Sequence, residues 1–141
     1  MKEIFVKVVS KLKQMPYDRL IVLQIMILLL VAIVGMLLRS DPYDGPRALH
    51  RLLGMSAAVI TLVNGVRFTR KKQFTINQKA FLWVPFTLVV MAAVSANLMG
   101  EIDAYEMLFN MMLMGGILAL ITSVISAQVV QRTLGVKKDT E

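Results

Sequence analysis

"LIVLQIMILLLVAIVGMLL", Leu20–Leu38, runs for nineteen residues with one polar side chain, Gln24. A helix rising 1.5 Å per residue needs about 20 mainly apolar residues to cross the hydrocarbon core of a bilayer. This stretch therefore reads as a membrane span, and the rest of the chain supports that reading. Ala80–Gly100 and Met107–Gln131 hold no charged residue, and each is long enough to cross. Leu52–Val66 is shorter, but Arg51 and Arg67 at its ends can lay their aliphatic stems along the helix and keep their guanidinium groups at the interface. The expected architecture is all-α: an integral membrane four-helix bundle forming a single domain over 1–141. Its spans fall at about 20–38, 49–68, 80–100 and 107–131, after a basic amphipathic segment at 1–19.

Composition agrees. Hydrophobic residues make up 57% of the 141, outside the usual soluble range. The formal charge of +7 is spread in short clusters between apolar runs, which is how membrane topology distributes charge, and it gives no reason to expect nucleic acid as a partner. Lys2, Lys7, Lys11, Lys13 and Arg19 precede the first span, Arg67, Arg70, Lys71, Lys72 and Lys79 surround the middle connection, and Arg132, Lys137 and Lys138 follow the last span. Only Arg39, Arg47 and Arg51 occupy the first hairpin, and Glu101–Glu106 has no basic residue. The positive-inside rule then places both termini in the cytoplasm of a multi-pass cell-membrane protein. Tyr17 and Trp83 would mark the inner interface, Tyr43 and Tyr105 the outer one.

Residues 1–19 resemble the charged part of a signal peptide, but the apolar run after them is too long and no small-residue cleavage pattern follows, so the expectation is an uncleaved anchor. Within the segment Ile4, Phe5, Val8, Val9 and Leu12 recur at helical spacing, with Lys7 and Lys11 opposite. It is either a short helix lying on the inner leaflet and ending before Pro16, or a frayed basic tail.

Lipid is as apolar as leucine, so spans associate where small side chains let backbones approach. Gly115, Ala119, Ser123 and Ala127 form such a ladder, while the third span offers Ala92, Ala96 and Gly100 and the second Ala57, Thr61 and Gly65. The first span offers only Ala32 and Gly35. Spans two to four are therefore expected to pack closely, with the first more exposed to lipid or to a partner subunit. Pro85 should bend the third helix or mark its first turn.

Catalytic machinery is hard to find. Cysteine is absent, which excludes thiolate metal sites and cysteine nucleophiles. No Asp, Glu, Lys or Arg lies centrally in a span, as a proton-driven carrier would require. Gln24, Ser56, Thr61, Asn64, Thr87, Ser95, Asn97, Asn110, Thr122, Ser123, Ser126 and Gln128 are expected to bond helix to helix or to their own backbone, with Asn64 and Asn97 the candidates for contact with a polar solute. Glu101, Asp103 and Glu106 suit a weak divalent-cation site or a simple solvated turn. The chain leans away from being an enzyme.

His50, the only histidine, sits on the first turn of the second span. At the same membrane level come Met36, Met99, Met107 and Met111, with Met55 a turn deeper. An imidazole and several thioethers there can give haem iron a His/Met axial pair, or Cu(I) a soft site. Gly54, one turn below on the same face, leaves space for a flat macrocycle, and Arg51 can pair with a propionate. The same residues also suit an interface histidine among methionines that merely fill apolar space.

The stretch "LHRLLGMSAAVITLVNGVRFTR", Leu49–Arg70, resembles the haem-binding helices of the haem A synthase family. In that family a four-helix unit carries a His-Arg pair at the outer end of its second helix and a histidine at the outer end of its fourth. The resemblance implies one such unit, with His50 as an axial haem ligand. Pro46 and Arg47 stand where an acid usually precedes the histidine, Asp44 being the nearest. Glu106, Met107 or Met111 stand where the second histidine would be. The resemblance thus implies haem, without an active synthase. The functional expectation is an accessory or assembly subunit of a larger, respiratory membrane complex, holding haem b through His50, Arg51, Gly54, Met107 and Met111. The alternatives are a b-type haem electron carrier and a small homo-oligomeric transporter that dimerises through the Gly115 ladder.

Overall fold

Inside hydrocarbon no water can satisfy a backbone N–H or C=O, so each segment must bond to itself as a helix. The computed structural model describes residues 2–40, 44–98 and 105–135 and contains helices α1 (Lys2–Gln14), α2 (Tyr17–Ser40), α3 (Asp44–Thr69), α4 (Ile76–Leu98) and α5 (Tyr105–Gly135). Four are long and apolar enough to span a membrane, over Arg19–Leu37, Ala48–Thr69, Ile76–Leu98 and Glu106–Gly135. The chain is thus all-helical, with the four crossings that a multi-pass membrane protein needs. Several helices outrun their apolar runs: α3 starts before Leu49, α4 before Ala80, and α5 passes Gln131. For α4 the reason is a capping box, in which the Gln78 N–H donates to Thr75 Oγ1 at 3.3 Å and the Thr75 N–H to Gln78 Oε1 at 2.9 Å. Pro85 therefore lies well inside α4, buried, rather than in its first turn.

The four spans form a ring in which α2 packs on α3, α3 on α4, α4 on α5 and α5 back on α2. All neighbours are antiparallel. Gln24 meets Asn64 and Gly35 meets His50 across the α2–α3 pair, while Leu82 clusters with Val130 and Gly115 meets Ala92 across the α4–α5 pair. One end of the bundle, here the basic end, carries α1, the α3–α4 connection and Arg132. The other is the His50 end.

α2 is not the peripheral helix that its few small residues suggest. It is buried over a larger share of its span than α4 or α5, and it closes the ring between α3 and α5. Polar bonding explains this: Gln24 is only 5% exposed and bonds to both neighbours. Leu28 of α2 also joins Ala57, Val89 and Ala119 in a layer contributed by all four spans. Outward, Val22, Met26, Ile33, Val90, Val94, Ile121 and Ile125 stay exposed, an apolar girdle of the kind lipid covers.

The basic end is filled by aromatics. Phe68 is buried, with Tyr17 at 5.4 Å and Phe74 edge-on at 6.0 Å between ring centroids. Phe74 belongs to the basic connection after α3 and anchors it in the core with Ile21, Leu82 and Val130. Arg67 does more than reach the interface: its Nη1 donates to the Leu12 and Met15 carbonyls at 3.1 and 2.8 Å, and its guanidinium lies 4.3 Å from the Tyr17 ring centroid. The Leu12 carbonyl, which also accepts from the Met15 N–H at 3.3 Å, and the Met15 carbonyl lie at and just beyond the end of α1, where a cation complements the helix dipole. Leu12 is buried with Leu20, Ile60 and Val63, whereas Ile4, Phe5 and Val8 farther along α1 are exposed.

Gly115 is buried where an added Cβ would meet the Ala92 Cβ at 3.2 Å and the Leu88 carbonyl oxygen at 3.3 Å. Ala119 and Ser123 are fully buried below it, and Ala127 packs on the Phe68 cluster. The ladder is thus consumed within the bundle, joining α5 to α4 and α2, and is not free to pair two copies. Gly115→Leu should overpack this seam and cost about 1–3 kcal/mol, whereas Gly116→Ala, with nothing within 4 Å of the new Cβ, should be neutral or slightly stabilising. Denaturant unfolding of the purified variants followed by far-UV circular dichroism measures both.

Candidate functional site

Small residues on four facing helices leave space unless a large side chain fills it. At the His50 end none does. A cavity of about 300 Å³ lies there, walled by Ala32 and Gly35 of α2, His50, Gly54 and Ala58 of α3, Ala92, Ala96 and Asn97 of α4, and Met112 and Gly116 of α5. Its floor is the apolar layer that holds Leu28, Ala57 and Val89. A methyl group added at Gly54 or Gly116 would meet nothing within 4 Å, so these glycines widen the space rather than bring helices together. The volume falls at the small end of ligand pockets, roughly 300–1,000 Å³.

Polar atoms are few and concentrated. His50 is half-buried with its ring against Gly35, where a Cβ on residue 35 would come within 3.2 Å of Cε1. A larger residue there would push the imidazole outward by a few tenths of an ångström or more. Nδ1 is buried and has no hydrogen-bond partner. It has no exposed surface, and the imidazole also lies beside the Val31 backbone, so a ligand in the cavity meets the part of the ring that lines it rather than this atom. Arg51 is exposed and Asn97, whose Nδ2 donates to the Ala93 carbonyl at 2.9 Å, is exposed as well; both line the cavity.

The structure brings together His50, Arg51 and Gly54 around one space. It does not bring Met107 and Met111 to it, since they are 59% and 39% exposed on α5 and lie outside the lining. The thioethers on the wall are Met55 and Met112. A run of adjacent methionines in α5 gave no means of choosing among faces, because one residue turns a helix by about 100° and only the packing of Gly115 fixes which face looks inward. Met36 is also exposed outward. Tyr43, Met99, Gly100, Glu101 and Asp103 lie outside the described residues, as do the side chains of Asp44, Pro46, Arg47 and Tyr105. Among the described residues no group of three or more His, Asp or Glu side chains is placed to hold a metal ion.

A second polar group lies on the other side of the apolar floor. Asn64 Nδ2 donates to Gln24 Oε1 at 2.5 Å, Gln24 Nε2 to Ser123 Oγ at 2.7 Å, and Ser123 Oγ to the Ala119 carbonyl at 2.7 Å. Asn64, expected to face a solute, is 4% exposed; its Nδ2 is used in this link, while its Oδ1, like Ser126 Oγ, is buried without a hydrogen-bond partner. Most of the remaining intramembrane hydroxyls bond back to their own helix, as Thr61 does to Ala57, Thr87 to Trp83 and Ser95 to Met91.

Compared with known proteins, the chain matches no family model, no curated protein and no solved structure.

Gln24→Leu should cost about 1–3 kcal/mol, because it breaks two interhelical bonds and strands the Asn64 amide in an apolar core. Adding Asn64→Leu should recover part of that loss. A double-mutant cycle by denaturant unfolding checks it, and strict additivity would show that the two amides are not coupled.

Proposed function

We propose that this protein is a non-catalytic integral membrane subunit that holds an amphiphilic cofactor, haem b, in the cavity at the His50 end. It would act within a larger assembly of the cell membrane, respiratory in kind, with both termini cytoplasmic. The observation that carries the reading is the half-buried His50 imidazole on the wall of a mostly apolar cavity shared by all four spans.

The remaining residues fit the same class of ligand. Gly54 and Gly116 leave room on the walls contributed by α3 and α5, and the lining is otherwise mostly aliphatic; at about 300 Å³ the space would take part of a macrocycle, the rest extending outward past Arg51 and Asn97 at the exposed rim. His50 would supply a nitrogen to the iron and Met112, on the cavity wall, a thioether, in place of the Met107 and Met111 suggested by sequence; Met55 also borders the cavity but is 70% exposed. Arg51, exposed beside the cavity, would pair with a carboxylate at the ligand's polar edge. Bound haem supplies one-electron chemistry; the chain's own part is to hold, orient and shield it. The resemblance of Leu49–Arg70 to haem-binding helices points the same way.

Protein purified in mild detergent from haem-replete cells should show a Soret band that His50→Ala removes. A colourless preparation would overturn the haem assignment, and migration as a clean monomer without other chains would overturn the subunit assignment. The cytoplasmic termini are tested separately, by introducing single cysteines into this cysteine-free chain. A membrane-impermeant maleimide added to intact cells should label a cysteine at position 43 and leave one at position 72 unlabelled.

A further inference from the structure

On the outer surface of α2, near the basic end, Arg19, Val22, Leu23 and Met26 share one side of the helix and, with Met15, border an open groove of about 430 Å³. Val22 and Met26 are 59% and 54% exposed, and Arg19 is exposed at the groove's end. Met15 is fixed there, because Arg67 Nη1 donates to its carbonyl at 2.8 Å. The groove therefore has a rigid apolar wall and a cation at one end.

We propose that this corner between α1 and α2 binds one anionic phospholipid, its phosphate at Arg19 and an acyl chain along Val22 and Met26. Depth is the first argument. Val22 and Met26 lie within the Arg19–Leu37 span, where the covering medium is hydrocarbon, and Arg19 stands at the span's limit, where headgroups begin. The direction of α1 is the second. Leu12 of its apolar side is buried against Leu20, Ile60 and Val63, so the same side farther along, Ile4, Phe5 and Val8, is turned toward the hydrocarbon. α1 then lies at headgroup level beside the groove. Charge is the third. Exposed Lys7, Lys11, Arg70, Lys72 and Arg132 surround this end of the bundle, and Glu3 is the acidic side chain described on α1. The cation that borders the groove, Arg19, favours an anionic headgroup over a zwitterionic one by about fivefold, whereas cations that do not line it act only through a diffuse, screened field.

Native mass spectrometry of the detergent-solubilised full chain with phosphatidylglycerol or phosphatidylcholine tests the site. The wild type should retain one phosphatidylglycerol in preference to phosphatidylcholine. Arg19→Gln should lower that retention about fivefold, and Val22→Trp, which fills the groove, should lower binding of either lipid. Lys72→Gln, which removes the same charge from the α3–α4 connection, should leave it unchanged. Far-UV circular dichroism verifies that each variant is folded. Equal retention of the two lipids by the wild type, no loss in Arg19→Gln, or an equal loss in Lys72→Gln would overturn the proposal, the last because it would show a diffuse charge effect without a site.

Discussion

The side-chain amide of Gln24 is the interaction on which the arrangement of the bundle depends. It accepts from Asn64 and donates to Ser123, so one residue of α2 specifies its level against both α3 and α5. In water the burial of apolar faces would drive such packing. In lipid it does not, and an amide that must find partners away from water becomes a strong determinant of which helices meet and in what register. The closure of α2 onto α5 follows from it.

Close approach does the rest, and it divides the bundle into two unlike halves. At the basic end the spaces between helices are filled by large rings: Phe68 packs against a tilted Tyr17 and an edge-on Phe74, and Trp83 lies against Gly65. At the other end the facing residues are Ala32, Gly35, Gly54, Ala92, Ala96 and Gly116, with no ring to fill the gap except the imidazole of His50. The cavity is what remains between backbones held apart by the filled half. Its polar atoms sit at the wall and rim, and the Leu28, Ala57, Val89 and Ala119 layer separates it from the amide link below. That separation suits a holder of a bound molecule better than a through path for a polar solute.

Much of the fold was legible in the sequence because bilayer thickness imposes a length, and a length with no charge in it can be counted. The four helices long and apolar enough to span come directly from that constraint, whereas the first helix was one of two readings open for its amphipathic spacing. Signals that were present but easy to pass over include Thr75 and Gln78 in capping-box spacing, and Phe74 as a lone aromatic in a basic connection. The role of α2 was misjudged because small residues were counted as the source of packing, while its single amide carried it. The site was half legible: His50, Arg51 and Gly54 follow one helix end and stayed together, but the choice of methionine did not.

By itself, then, the sequence determined that the chain holds four helical segments long and apolar enough to cross a membrane, that its charge gathers mainly between and beyond them, and that one imidazole stands at the end of one of them. These are local properties, set by hydropathy along consecutive residues. The tertiary structure alone decided that α2 closes the ring, that the Gly115 ladder is used inside one copy, and that Met112 rather than Met107 or Met111 reaches the cavity. Those depend on the rotation of each helix about its axis, which a uniformly apolar span does not encode in its own pattern and which only contacts between helices can fix.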